Sequence, residues 1–292
     1  MKLKTKQSVV GWTFIIPFLI VVLCMLFIPL AYAYYLSSHQ NTLVGGNKFV
    51  WFSNYKTVFT DPLFLEGLKR VALFGLIQIP LMLGIALIAA LVLDTVNSKM
   101  AKVFRLIAFL PYAVPAVVGA LMWGFLDSNT FGPFGKILLH LGFKSVDLFA
   151  PSAFIYTIGN IVTWAWTGYN MIVIYSALRG LPRDAYESAL IDGASQVQIA
   201  RYIKIPAIKN ALILTFIFCV IGTMQIYTEP SILSRYTQAV SLGYTPNIYA
   251  YSLAFSQSQF NYSAAVSFAL ALVVFIASYG FFAYNRRRES QS

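Results

Sequence analysis

The 292 residues are 59% hydrophobic and only 11% charged, with a mean hydropathy of +0.71. Such a composition excludes a soluble domain and indicates a polytopic membrane protein, because runs of about 20 apolar residues cross a bilayer. The two cysteines, Cys24 and Cys219, both lie in apolar runs, so neither a disulfide framework nor a zinc site is expected. The net charge of +11 could indicate a nucleic-acid partner, but its distribution has a topological explanation.

Apolar segments in chain order predict six transmembrane helices. They lie at about 10–36, 71–93, 104–126, 152–176, 207–228 and 262–284. The first could be a cleavable signal, since Ala31-Tyr32-Ala33 has small residues at the right spacing. Its apolar stretch is longer than the about 7–15 residues of a signal core, so a retained helix is expected. We predict an all-α polytopic membrane protein with a single transmembrane domain over residues 1–292.

Basic residues are unevenly distributed between alternate loops. One face carries 14 of the 21 Lys and Arg residues: Lys2, Lys4, Lys6, Lys99, Lys102, Arg105, Arg179, Arg183, Arg201, Lys204, Lys209, Arg286, Arg287 and Arg288. Loops of a membrane protein that stay in the cytoplasm are enriched in Lys and Arg. This asymmetry therefore predicts that both termini are cytoplasmic, and it explains the basic charge without nucleic acid.

The segment YESALIDGASQVQIARYIKIP, residues 186–206, is a polar stretch in the largest predicted cytoplasmic loop. Pro182 and Asp184 are typical of a helix start, because proline and an acidic residue are both favoured in the first turn. Gly193 is typical of a helix end, since glycine adopts left-handed backbone angles without strain. Pro206 ends a second helix. We therefore predict a helix–turn–helix at the membrane surface.

The pattern Glu187-Ser188-Ala189-x-x-Asp192-Gly193-Ala194, followed by Ile203-x-Ile205-Pro206, resembles the EAA loop of importer-type ABC permeases. This resemblance implies a type I ABC importer permease fold, in which residues 182–206 are the cytoplasmic coupling loop that docks on a separate ATPase. The family pattern has Ala at position 188, Phe at 200 and Leu at 205. The residues implied for ATPase coupling are Glu187, Ser188, Ala189, Asp192, Gly193, Ala194 and Pro206.

Two further segments, LPYAVPAVVGALMWGFLDSNTFG (110–132) and TWAWTGYNMIVIYSALRGLPRDAYE (163–187), resemble permeases of the carbohydrate-uptake branch, in particular the larger maltose-transporter membrane subunit. The resemblance covers most of residues 65–285. It implies a multi-pass permease subunit of a binding-protein-dependent sugar importer, in the plasma membrane of a bacterium or archaeon. The implied partners are a second homologous permease, an ATP-binding cassette ATPase dimer, an extracytoplasmic sugar-binding protein, the sugar and membrane lipid.

The chain lacks the G-x-x-x-x-G-K-[ST] motif that cradles ATP phosphates. We therefore expect a transport subunit and not an enzyme, without catalytic residues or a cofactor of its own. ATP and magnesium are expected on the partner ATPase. His39 and His140 are isolated in the sequence, so no metal site is expected either.

A sugar that crosses a membrane must exchange hydrogen bonds with water for hydrogen bonds with protein, and aromatic rings cover its apolar face. By the resemblance, Tyr112, Trp164 and Tyr169 match sugar-contacting positions. Ala116 stands where the maltose subunit has Ser, and Trp166 where it has Gly, so the cavity is reshaped. Each aromatic residue could instead pack between helices or lie at the membrane interface. The predicted substrate path comprises Tyr112, Ala116, Asn160, Trp164, Trp166, Tyr169, Thr223 and Gln225.

Three alternatives stay open at this point. Glycerol-3-phosphate or a polyol is the second choice of cargo, but a phosphorylated cargo would favour Arg or Lys at membrane depth, and the predicted spans have none there. An ion-coupled secondary transporter should show inverted repeats and ionisable residues at the bilayer midplane. A membrane scaffold would not need buried polar groups. Glu229 is ambiguous, because a carboxylate inside a membrane is usually functional but this one is close enough to the surface to be solvated.

Overall fold

The computed structural model describes residues 2–42, 46–96, 99–128, 132–140, 147–182 and 184–289. The helices are α1 Lys2–Val22, α2 Ile28–Ser37, α3 Ser53–Val58, α4 Pro62–Thr95, α5 Lys99–Ala113, α6 Ala116–Leu126, α7 Pro133–His140, α8 Phe154–Arg179, α9 Asp184–Ile191, α10 Gln196–Ile199, α11 Ile205–Ala207, α12 Lys209–Met224, α13 Thr228–Leu233, α14 Pro246–Tyr251 and α15 Phe260–Glu289. Wider π-helical turns occupy Leu23–Phe27, Ala200–Lys204 and Ser252–Ser256.

Within these ranges, four helical stretches are long and apolar enough to cross a membrane: Val10–Ser37, Pro62–Thr95, Lys209–Leu233 and Phe260–Arg287. The pair Met100–Ala113 and Ala116–Leu126 would supply a fifth crossing. Helix α8 has 26 residues and is therefore about 39 Å long, but threonines and asparagines lower its hydropathy. The predicted helical membrane architecture is confirmed, whereas the six-span count and the cytoplasmic termini stay predictions.

The third predicted span is sharply bent. Helices α5 and α6 meet at an angle of 95°, and Pro115 precedes α6 in an extended conformation, with φ −54° and ψ 133°. Proline has no N–H to donate and disfavours helical angles in the residue before it, so the helix breaks at this point. Pro80 and Pro111, by contrast, lie inside α4 and α5.

The chain divides into two compact units. The first comprises residues 1–65 and 249–272, and the second comprises 66–248 and 273–292. The first unit contains a short antiparallel hairpin that the all-α prediction missed: β1 His39–Thr42 pairs with β2 Gly46–Phe49, with His39 opposite Phe49. Periodicity of the long apolar runs gives no signal for so short a hairpin.

A partly buried polar node joins distant parts of the first unit. Asp61 Oδ2 accepts hydrogen bonds from the hydroxyls of Tyr249, at 2.5 Å, and Tyr262, at 2.7 Å. Burial alone would raise the pKa of Asp61, but these donors outweigh it and the pKa lies below its ordinary value. Asn261 Nδ2 also donates to the carbonyl oxygen of Leu36, at 3.0 Å.

The second unit is built on close contact between α5 and α8. A Cβ atom on Gly168 would overlap the carbonyl oxygen of Ala108, so only glycine allows the two backbones to approach this closely. An apolar cluster continues from this crossing along α4, α5, α8 and the start of α12. Its buried members are Ala86, Ala90, Leu93, Ala101, Met171, Ile174, Leu178 and Ile208.

Candidate functional site

Two adjoining cavities lie inside the second unit, between α4, the bent α5–α6 pair, α8 and the α12–α13 segment. Their volumes are about 270 and 350 Å³, and they share Ala116, Trp166 and Glu229 in their linings. Together they are large enough for a small saccharide, since ligand pockets usually measure about 300–1,000 Å³. We call this combined space the aromatic cavity.

Three aromatic rings that contact one another line the cavity. The rings of Tyr112 and Tyr169 are stacked, with centroids 4.7 Å apart, and Trp166 presents its edge to both, at 5.2 and 5.9 Å. Trp166 and Tyr169 are three residues apart on α8 and so share one face, while Tyr112 lies just before the break at Pro115. The bend therefore sets the ring of α5 against those of α8.

Trp164 lines the larger cavity. Its ring meets Trp123 of α6 edge-on, with centroids 5.8 Å apart, and it passes beside Gly119. The α6–α8 contact thus fixes its orientation. Trp164 combines a structural contact with exposure to the cavity.

Polar groups also line the aromatic cavity. Asn170 Nδ2 donates to the carbonyl oxygen of Trp166 at 3.1 Å, and Cys219 Sγ donates to Asn170 Oδ1 at 3.6 Å. Thr223 is a buried member of this lining, and Gln225 follows the end of α12 as an exposed residue. These groups can exchange hydrogen bonds with hydroxyl-bearing cargo while the rings cover an apolar face.

The structure brings the predicted path residues together except for Asn160, which lines a separate groove with Gln78 and Thr163. Two residues outside the predicted path also line the cavity: Cys219 and Glu229, for which the sequence left a functional and a solvated interpretation open. The roles of all these residues in transport stay predictions.

The predicted helix–turn–helix is present in residues 184–207. Helix α9 ends at Ile191, and Gly193 adopts φ +83°, so the backbone turns there as predicted. Ser195 begins the second helix with a reciprocal cap: Gln198 N donates to Ser195 Oγ at 3.3 Å, and Ser195 N donates to Gln198 Oε1 at 2.7 Å. Arg183 lies outside the described residues.

This loop presents apolar side chains to its surroundings. Ile191, Val197 and Tyr202 are 87%, 75% and 68% exposed. Ile199, on the opposite side of the second helix, is buried. The loop therefore has an inner face fixed to the protein and an outer face that presents these three apolar side chains among polar ones.

A buried ion pair fixes the inner face to helix α4. Lys204 Nζ lies 2.6 Å from Asp94 Oδ2, and the two side chains are only 6% and 5% exposed. Lys204 Nζ also lies 4.8 Å from the centre of the Tyr186 ring, which belongs to α9. One ammonium group thus contacts α4 and the first helix of the loop.

Comparison with known proteins gives consistent matches. The family described as "Binding-protein-dependent transport system inner membrane component" matches residues 70–289. A lactose transport system permease protein of Rhizobium radiobacter is 29% identical over 295 residues, covering 98% of this chain and 97% of its own. A trehalose/maltose transport system permease protein of Thermococcus litoralis is 29% identical over 228 residues, covering 77% of each chain.

A solved structure shares the fold. It is the crystal structure of a bacterial alginate ABC transporter in complex with an alginate pentasaccharide-bound periplasmic protein. One of its chains superimposes with a TM-score of 0.85 at 20% sequence identity, covering 97% of this chain and 96% of that one.

Proposed function

We propose that this chain is the membrane-spanning permease subunit of an ATP-driven sugar importer. It belongs to the family of binding-protein-dependent transport system inner membrane components. The observation that carries the proposal is the aromatic cavity, which three rings line together with hydroxyl, amide and carboxyl groups. Aromatic faces with a few polar groups are the usual chemistry of saccharide recognition. The sugar-transporting relatives support the same class of cargo.

The loop of residues 182–206 transmits motion from a separate ATPase in this proposal. Its exposed apolar residues suit a cleft on another protein, since hydrophobic anchors at the centre of an interface supply most of the binding energy. Its inner face is fixed to α4 through Lys204 and Asp94. The loop can therefore move with the bundle as one lever.

The proposed cycle uses six spans with both termini in the cytoplasm. A sugar-loaded binding protein docks on the external loops, and closure of the ATPase dimer moves the lever. Two homologous permease subunits then rock and expose the aromatic cavity to each side in turn. This chain supplies half of the pathway and the lever, and the partner ATPase hydrolyses ATP.

The test of this function is co-expression with the neighbouring transporter genes, followed by purification in detergent and uptake measurements in proteoliposomes. We expect a second permease and an ATPase to remain bound, and uptake of a neutral mono- or oligosaccharide to require ATP and the binding protein. Glycerol-3-phosphate is included because it is the alternative cargo. If the chain purifies without an ATPase, the proposal fails and an ion-coupled transporter returns.

Replacing Gly193 with valine is expected to lower sugar uptake at least about tenfold while ATP hydrolysis continues. The physical reason is the backbone angle φ +83°, which costs a β-branched residue about 1–3 kcal/mol and so distorts the lever. Uptake and ATP hydrolysis are measured on the same proteoliposomes.

Gly280→Val is the matched control for the Gly193 change. An added Cβ atom meets nothing within 4 Å at either glycine, but Gly280 lies in α15 and lacks the positive φ. The control should therefore transport normally. Normal uptake by Gly193→Val would contradict the lever.

A further inference from the structure

We propose that Glu229 makes the aromatic cavity selective for uncharged saccharides and excludes sugar acids. The inference rests on the proposed function and adds to it the chemical class of the cargo and the residue that sets it. Glu229 lines both parts of the cavity.

The charge of the cavity lining favours uncharged cargo. Glu229 is the single ionisable carboxylate in the described lining, and no described Lys, Arg or His lines the cavity. The described lining therefore offers no cation that could neutralise Glu229. When Glu229 is ionised, an anionic cargo therefore meets a net negative lining.

Arg70 is a cation of the same unit, but its contacts lie outside the aromatic cavity. Arg70 lines a neighbouring cavity with Ile226 and Pro230. Its guanidinium donates to the carbonyl oxygen of Tyr244 at 2.9 Å and lies 4.8 Å from the centre of that ring. Arg70 therefore stabilises the loop before α14 and does not line the aromatic cavity.

Sugar hydroxyl groups are attracted to this carboxylate, whereas an anionic cargo is repelled by it. A sugar O–H can donate to an ionised carboxylate, and such charge-assisted hydrogen bonds are about twice as strong as neutral ones. With Tyr112, Trp166 and Tyr169 available for the apolar face of the ring, Glu229 provides an acceptor for hydroxyls on the same sugar. A uronate would instead bring two carboxylates together.

The size of the discrimination follows from Coulomb's law. Two like charges about 6 Å apart, at an effective dielectric constant of about 20, repel strongly enough to weaken binding on the order of 100-fold. Specificity of this kind depends on repulsion of the wrong ligand as much as on attraction of the right one. We therefore expect a carboxylate at this position to reject galacturonate oligomers.

The experiment measures binding to the purified transporter, with its second permease and ATPase, in nanodiscs. The neutral probes are lactose and maltotriose, and the acidic probes are di- and trigalacturonate of the same lengths. The variants are Glu229→Gln, which removes the charge at nearly constant shape, and Glu229→Arg, which reverses it. Glu66→Gln is the control, because it removes an exposed carboxylate of α4 outside the cavity.

We expect the unchanged protein and Glu66→Gln to prefer the neutral probes on the order of 100-fold. Glu229→Gln should reduce that ratio at least about tenfold, and Glu229→Arg should favour the acidic probes. Neutral binding with an unchanged ratio in Glu229→Gln would overturn this inference alone. If the unchanged protein binds none of the saccharides, the proposed function fails together with the inference.

Discussion

Lys204→Met should lower the free energy of unfolding by about 3–5 kcal/mol, because it leaves the buried Asp94 carboxylate without a partner. The two charged atoms are 2.6 Å apart, and both side chains are almost completely buried. Loss of one partner of such a pair exposes the full desolvation cost of the other. The measurement is the thermal unfolding midpoint of the purified transporter, which should fall by several degrees.

A double change separates loss of the pair from loss of packing. In Asp94→Leu with Lys204→Met, two apolar side chains of similar volume replace the ion pair, and stability should return close to that of the unchanged protein. If the single change costs no more than the double change, the pair has no role in stability.

The same variants also test whether the ion pair helps to couple ATP hydrolysis to sugar transport. Because Lys204 contacts α4 and the Tyr186 ring, the double variant should be stable but have a flexible joint between bundle and loop. We expect it to hydrolyse more ATP for each sugar transported. An unchanged ratio of sugar to ATP would show that the pair serves stability alone.

Gly168→Ala should destabilise the second unit by about 3 kcal/mol or more and also weaken saccharide binding. The added methyl group would overlap the Ala108 carbonyl, so α5 and α8 must separate, and overpacking of this kind costs about 1–3 kcal/mol, occasionally more. Ala108 lies one turn before Tyr112, and Gly168 precedes Tyr169. Separation of the helices would therefore also disturb the stacked rings.

Gly84→Ala is the control for this substitution. An added Cβ atom at Gly84 meets nothing within 4 Å in α4, so alanine should be neutral or slightly stabilising through its higher helix propensity. Unfolding midpoints and saccharide binding are measured for both variants. Equal behaviour of Gly84→Ala and Gly168→Ala would contradict the close helix crossing.

The sequence was most informative where one local rule decides the structure. The resemblance to importer-type ABC permeases is confirmed by the family match over residues 70–289, whereas the coupling role of residues 182–206 stays a prediction. The turn at Gly193 is also confirmed, because its left-handed angle is a property of one residue. The lengths of the apolar runs likewise predicted the long helices.

Contacts between distant residues were not predictable in this way. Lys204 was counted as one positive charge of a cytoplasmic loop, yet it is buried against Asp94, 110 positions earlier in the chain. Asn160 shares α8 with Trp164 and Trp166, but the rotation of that helix places it in another groove. Helical periodicity gives the spacing of side chains, whereas neighbouring helices decide which face meets the cavity.

The Asp61 node has a consequence for the order of assembly during synthesis. Its tyrosine partners belong to residues 249–272, which the ribosome makes only after the whole of residues 66–248. At about 5–20 residues per second, that interval lasts roughly 10–40 s. During this time Asp61 has neither tyrosine donor. The N-terminal segment, residues 1–65, therefore lacks the contacts that residues 249–272 supply to the same unit. If synthesis stops within residues 66–248, the first unit stays incomplete, and we expect membrane quality control to degrade the truncated chain.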